Sequence, residues 1–277
     1  MNIDTIISNA ILEDVKDGDH TSLAVVDFDA TESANLLVKE DGILAGLEVA
    51  EKVFKKVDPN IKFKKFKNDG DLIKKGEIVF NVSGNAQAIL KSERLALNFL
   101  QRMSGIATKT AKYVDLVKGT GVEIMDTRKT TPNLRILEKL AVKIGGGHNH
   151  RMGLYDMIMI KDNHVDFAGG IKKAILKANK YLELHNLNLK IEIEVRNLSE
   201  LEEVLQTGKV DIIMLDNFSI PDLKHAIKIV DNKYKTEASG GITEKTIRQV
   251  AQCGVDYISV GALTHKINSL DLSLKAI

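Results

Sequence analysis

A chain of 277 residues, 44% of them hydrophobic, can build one large or two modest cores; with aromatic residues at 5% and no Trp, Leu, Ile, Val and Ala must fill them. Lys plus Arg number 39 against 38 Asp plus Glu, so no charge excess points to nucleic acid or a membrane surface, and any anion site must be a local gathering of cations. The single cysteine, Cys253, excludes an internal disulfide framework, and no run approaches the ~20 apolar residues of a membrane span. With no basic head or apolar run of the secretory kind at its start, the chain is expected in a reducing cytoplasm.

The first part, 1–110, reads as α+β. A short helix is expected over 3–13, strands at 22–29 and 33–40, and an amphipathic helix near 46–57, where Leu47, Ala50, Val53, Phe54 and Val57 recur at helical spacing. In GDLIKKGEIVFNVSGNAQAIL (70–90), glycines 70, 76 and 84 punctuate short β segments. These are similar to the hairpins of biotinyl and lipoyl carrier domains but lack the modified lysine, so they are read as a structural sandwich. A long helix follows over 86–103 with Ala96, Phe99, Leu100 and Met103 on its apolar stripe. Arg94, Asn98, Gln101 and Arg102 lie on another face, whose plainest reading is solvent exposure.

From about 120 the pattern becomes alternating strand and helix. Strands are expected at 122–126, 157–161, 191–195, 211–216, 236–239 and 256–260, and helices at 133–144, 166–184, 198–206, 220–230 and 243–253, the last holding Cys253 as a small core residue. Several strands are continuous apolar runs, as in a parallel sheet covered on both faces. The last four strand centres are spaced by about 22 residues, one βα unit each, which calls for a barrel or a doubly wound sheet.

Nearly every one of these strands ends in polar residues or glycine. In a βα barrel the C-terminal strand ends form one rim, where active sites sit, and six such ends in succession favour that architecture. The rim sorts by charge. Arg128, Lys129, Arg151 and Lys161, with His150 beside them, suit a small ligand carrying more than one anionic group. Glu194 and Asp216, at adjacent strand ends, can face one Mg2+, hold ribose hydroxyls or stabilise positive charge developing on a sugar carbon. Ser239-Gly240-Gly241, before a helix expected to be capped by Thr243, and Gly261-Ala262 offer backbone N–H groups to a phosphate. His148 and His150 could share a metal, but no third ligand stands at a standard spacing. No P-loop and no GxGxxG motif occurs.

Taken together, EDVKDGDHTS (13–22), SERLALNFLQRMSGIAT (92–108), DTRKTTPNLRILEKLAVKIGGGHNHRMGLYDMIMIKDNH (126–164), IEIEV (191–195), MLDNFS (214–219), EASGGI (237–242) and ISVGALTH (258–265) resemble the quinolinate phosphoribosyltransferase family over almost the whole chain. Asn133, where Gly is common, and Lys266, where Ser is frequent, are small departures. The resemblance implies an N-terminal α/β sandwich over 1–110, joined by the tail 266–277, and an incompletely closed, TIM-like α/β barrel over 111–265. It further implies a homodimer with a shared active site, into which Arg94 reaches from the neighbouring subunit, and leaves a hexamer open. Thr127, Arg128, Lys129, His150, Arg151 and Lys161 would hold quinolinate. Glu194 and Asp216 would hold the ribose of phosphoribosyl pyrophosphate, with Mg2+ carried on its pyrophosphate nearby. Ser239, Gly240, Gly241, Val260, Gly261, Ala262 and His265 would hold its phosphate. Lys129, Lys161, Glu194 and Asp216 would serve the chemistry. A relative of this fold encoded with molybdate transport, a nicotinate-using transferase and a non-enzymatic binding protein are the competing readings. The cation set argues against the first two, and the intact acids and glycines against the third.

Overall fold

The computed structural model describes residues 2–277. The chain folds into two compact units, one running to Ala111 and including Lys129–Gly146 and Ala262–Ile277, the other made of Lys112–Arg128 and Gly147–Gly261. Where the second domain is expected over 111–265, the segment 129–146 packs within the first unit.

The chain begins with α1 (Ile3–Val15) and α2 (His20–Val25). The second replaces the strand expected at 22–29. Its β-branched residues imitate a strand, but Asp19 accepts from the backbone N–H of Ser22 at 3.1 Å and from its hydroxyl, an N-cap that starts a helix locally. Those bonds, with Ser22 foremost, also hold the Asp19 carboxyl below its ordinary range. Then come β1 (Thr31–Val38), β2 (Gly42–Ile43), α3 (Leu47–Val57), β3 (Lys62–Lys65), β4 (Leu72–Ile73), β5 (Ile78–Asn85) and α4 (Ala86–Leu116). The helix α4 runs well past 103, where the sequence placed its end before Ser104-Gly105. Gly105 does not break it; a Cβ there would lie 2.2 Å from the carbonyl oxygen of Asn268, so the glycine admits the returning C-terminal tail.

Next are β6 (Glu123–Met125) of the second unit and α5 (Arg135–Ile144) of the first. Between them Asn133, where the resemblance expects Gly, has φ +65°, a left-handed conformation that Asn tolerates. The second unit continues with β7 (Ile158–Ile160), α6 (Asp162–Ala168), α7 (Ile171–His185), β8 (Ile191–Val195), α8 (Leu198–Thr207), β9 (Ile212–Asp216), α9 (Ile220–Val230), β10 (Lys235–Ser239), α10 (Ile247–Ala251) and β11 (Tyr257–Ser259). The helix expected over 166–184 is therefore two helices, split at Gly169-Gly170. The expected helix 243–253 is shorter. Thr243 opens a turn, its carbonyl accepting from Thr246 and Ile247, and does not cap α10. Cys253 lies beyond that helix but is buried, as a small core residue should be. The chain ends with α11 (Ala262–His265) and β12 (Leu272–Ala276) in the first unit.

The first unit's main sheet is antiparallel in the order β12-β1-β5-β3. Ala34, Leu36 and Val38 alternate inward on β1, and β12 pairs along it with Leu36 opposite Leu274 and Val38 opposite Leu272. Phe54, Phe63 and Phe80 pack together, Phe63 and Phe80 with ring centroids 4.3 Å apart. The second unit is a six-stranded parallel sheet in the order β6-β11-β10-β9-β8-β7. Its end strands β6 and β7 do not pair with each other, which is the incompletely closed, TIM-like barrel the resemblance implies. Among the described residues no helix is long and apolar enough to cross a membrane.

Candidate functional site

Because the six strands are parallel, their C-terminal ends share one edge. Along the sheet that edge carries Thr127 and Arg128 after β6, Val260 and Gly261 after β11, Ser239-Gly240-Gly241 at β10, Asp216 at β9, Glu194 on β8 and Lys161 after β7. Lys161 Nζ donates to Glu194 Oε2 at 2.9 Å. One strand over, Asp216 accepts from Ser239 Oγ at 2.6 Å and from Asn217 Nδ2 at 2.7 Å. The backbone of Asn217 donates to the carbonyl of Ser239 at 3.0 Å, so the ends of β9 and β10 are tied together. Gly240 has φ +86°, and a Cβ on it would lie 2.4 Å from the Asn217 side chain. Only glycine fits where this backbone turns beside Asp216.

The loop before β7 brings the cations. His148 joins Met125 of β6 in a parallel bridge, and His150 and Arg151 follow. Arg151 Nη1 donates to Met157 O at 3.2 Å, while its buried Nε finds no acceptor among the described residues. Burial first, and then the Arg128 guanidinium, lower its pKa, with Glu192 and Asp156 pulling the other way. A buried N–H without a partner costs about 1–3 kcal/mol, and with the Arg128 guanidinium near enough to repel it the loop concentrates positive charge.

Beneath this edge lies a cluster that the sequence reading missed. His150 Nε2 is 2.8 Å from Glu192 Oε2 and 3.6 Å from Glu237 Oε2, and all three side chains are almost fully buried. His150 N donates to Asp126 Oδ1 at 2.9 Å, and Arg151 N donates to His150 Nδ1 at 2.8 Å. Burial, and next the Glu192 carboxylate, push Glu237 up to about 8. His148 does not join this cluster: it is half exposed, 3.6 Å from Glu123, because neighbouring-but-one positions around an irregular turn need not share a face.

Glu237 has a consequence for stability. Its folded pKa lies above the ordinary carboxyl value of 4.5, so the native state keeps a proton that the unfolded chain loses, and stability declines as pH rises from about 4.5 through about 8. Glu237→Gln cannot titrate. Its melting temperature should vary less with pH over that window and exceed the wild type's above it. Parallel melting curves for the two proteins would show that Glu237 is ionised in the fold.

In the first unit, Lys129 and His265 line a cavity of about 500 Å3 with Arg102, Thr130, Thr131, Thr264 and Ile267. Burial and then Lys129, Lys266 and Lys109 lower the pKa of His265, the mark of a cation-rich surface. Arg102, assigned to solvent from the sequence, instead donates to Glu138 Oε1 through Nε at 2.8 Å and Nη2 at 2.5 Å, and to Thr131 Oγ1 at 2.7 Å. Glu138 is 1% exposed, so this pair braces α5 against α4. Gln101 is also engaged, donating to Leu272 O at 2.8 Å. Arg94 and Asn98 are exposed on α4.

The model of the quinolinate phosphoribosyl transferase N-terminal domain matches residues 19–104, and that of the C-terminal domain matches 106–275. The chain belongs to the quinolinate phosphoribosyltransferase family. It is 44% identical to the Arabidopsis thaliana chloroplastic nicotinate-nucleotide pyrophosphorylase [carboxylating], over 99% of this chain and 82% of that one. It is 45% identical to the Nicotiana tabacum mitochondrial quinolinate phosphoribosyltransferase [decarboxylating] 2a, over 98% of this chain and 81% of that one. The crystal structure of NadC from Streptococcus pyogenes superposes with a TM-score of 0.93 at 41% identity, covering 99% of this chain and 97% of that one.

Within this family framework, Glu192 and Glu237 had a faint signal in the sequence. Each interrupts a parallel strand whose burial on both faces otherwise demands apolar residues. Arg102 had none, since its partner Glu138 lies 36 residues away.

Proposed function

We propose that this chain joins quinolinate to 5-phosphoribosyl 1-pyrophosphate, releasing nicotinate mononucleotide, pyrophosphate and CO2, a step of de novo NAD biosynthesis. The observation that carries the reading is the sorted edge of the second unit. Arg128 stands at the β6 end, the edge continues through Gly240 and Ser239–Asp216 to the Glu194–Lys161 pair at the β7 end, and Arg151, with a buried guanidinium N–H awaiting an acceptor, lies on the loop before β7.

The residues divide the work by charge. Arg128, Arg151 and Lys161, with Thr127 and Lys129, hold the two carboxylates of quinolinate. The Lys161–Glu194 pair is partly exposed and so contributes only about 0–1 kcal/mol, which leaves Lys161 able to turn to an arriving carboxylate at little cost. Glu194 and Asp216 face the ribose. Ser239, Gly240, Gly241, Val260, Gly261, Ala262 and His265 receive the phosphate, through backbone N–H groups more than through a helix end, since α10 is a short helix set back from the turn. The pyridine nitrogen attacks the anomeric carbon, the bond to pyrophosphate breaks, and its electron pair leaves with pyrophosphate. Glu194 and Asp216 stabilise the positive charge that develops on the sugar. The 2-carboxylate then departs as CO2, its electron pair stays on the ring carbon beside the cationic nitrogen, and that carbon takes up a proton. Lys129 and Lys161 place the leaving carboxylate. The hard oxygens of Glu194 and Asp216 suit Mg2+ brought in on the pyrophosphate, where its charge would offset that of the leaving group.

Exposed Arg94 supports a homodimer in which this side chain completes the neighbouring subunit's site, and the lone buried Cys253 suits a reducing cytoplasm. The decisive assay mixes the protein with quinolinate, phosphoribosyl pyrophosphate and Mg2+. It should give nicotinate mononucleotide and CO2 in equal amounts, and nicotinate should not replace quinolinate. Mixing inactive Arg94→Ala with an inactive Asp216 variant should restore part of the activity. No CO2 release would sink the activity, and no restoration the shared site.

A further inference from the structure

We propose that Arg102 and Glu138 are positioning residues for Lys129: together they fix the stretch of backbone from which that lysine reaches the substrates. Glu138 is 1% exposed, and its two oxygens have separate tasks. Oε1 accepts from Arg102 twice, from Nε at 2.8 Å and from Nη2 at 2.5 Å. Oε2 accepts from the backbone N–H of Thr131 at 3.1 Å. The same Nη2 donates to Thr131 Oγ1 at 2.7 Å and reaches Thr264 O at 3.4 Å. Thr264 Oγ1 in turn donates to the carbonyl of Lys129 at 2.8 Å. Residues 129–131 are therefore held at both ends, by Thr264 at the Lys129 carbonyl and by the ion pair at Thr131. All of these groups belong to the first unit.

The anchor on the Thr264 side is itself tied to α4. Gln101 donates to Leu272 O at 2.8 Å, its own carbonyl accepts from Leu270 N at 2.9 Å, and Lys109 Nζ donates to Lys266 O. Joining α4 to α5 would not by itself call for charge. A buried ion pair loses its hydration, and apolar residues of similar volume often serve stability as well or better. What the pair adds is direction. A guanidinium fork and a carboxylate with several lone-pair sites hold an amide, a hydroxyl and a carbonyl at set angles. The ammonium of Lys129 sits on a flexible four-carbon stem, so a fixed root is what limits where it can go. A catalytic group misplaced by about 1 Å costs about a hundredfold in rate.

The role of Lys129 in turnover rests on the proposed activity; the hold on residues 129–131 does not. Arg102→Ala alone would strand the buried charge of Glu138, so the variant to make joins Arg102→Met to Glu138→Met and replaces the pair by apolar side chains. It should melt within a few degrees of wild type. Backbone amide exchange at residues 129–131 should quicken about tenfold, the effect of one lost hydrogen bond. Its kcat/KM for quinolinate should fall about ten- to a hundredfold. In a Lys129→Ala background the same two changes should cost no more than about twofold, because groups that act through one another are not additive. Should the double variant not fold, Thr131→Val carries the same test: it leaves the ion pair whole, removes one bond to residues 129–131, and should slow turnover only where Lys129 is present. Turnover within about twofold of wild type in a stable double variant makes the pair a brace between helices and overturns the proposal. Unchanged exchange at residues 129–131, or a loss as large without Lys129 as with it, overturns it too. Faster exchange in a protein whose wild type makes no nicotinate mononucleotide supports the hold on residues 129–131 and counts against the activity alone.

Discussion

Arg128→Ala should lower kcat/KM for quinolinate by about a hundred- to a thousandfold while leaving KM for phosphoribosyl pyrophosphate within a factor of about two. The magnitude follows from what is removed. A guanidinium meets a carboxylate with two parallel charge-assisted bonds, and truncating one partner of such a pair costs about 2–5 kcal/mol. A smaller effect opposes it in the ligand-free protein. Arg128 is the second cause of the lowered pKa of Arg151, so its removal relieves repulsion between like charges. The rise in melting temperature produced by quinolinate should shrink in Arg128→Ala. Arg128→Lys keeps the charge but not the fork and should recover only part of the loss. A variant whose kcat/KM stays within about twofold of wild type would remove Arg128 from the substrate's contacts.

The parts of this site that could be read from the chain are those that the backbone alone arranges. Parallel strands separated by helices must end on one edge, so Arg128, Lys161, Glu194, Asp216 and Gly240 could be placed together before any contact was known. Residues whose roles depend on a partner far along the chain could not. Arg102 looks like any polar residue on a long helix until Glu138 is brought beneath it, and the tail strand β12 is legible only through its pairing with β1. At α2, local chemistry misled: β-branched residues suggested a strand, and the Asp19 cap outweighed them. His150 shows a third kind of limit. Residue type announces a possible cation, but the carboxyl groups that surround its ring come from two other strands and show no spacing to His150 along the chain.

Asp216→Asn should lower kcat by about a hundred- to a thousandfold, the scale on which removal of one well-placed electrostatic group slows an enzyme. The substitution keeps the shape and removes the charge. Ser239 can still donate to the remaining carbonyl oxygen, but the new amide nitrogen meets the Asn217 Nδ2 donor, so Asn217 should turn away from its present 2.7 Å contact. That shift touches the backbone cradle, since the Asn217 side chain fills the space against Gly240. Two effects must therefore be separated. If Asp216 chiefly stabilises the cation-like sugar, kcat falls and KM for phosphoribosyl pyrophosphate changes little. If it only grips a ribose hydroxyl, KM rises and kcat survives, because an interaction equal in ground and transition states does not speed the chemical step. Asn217→Ala is the control: it removes the same hydrogen bond and leaves the carboxylate charged. It should loosen phosphate binding without the large loss of kcat, and an equal loss in both variants would shift the cause from the charge of Asp216 to the geometry of the turn at Gly240.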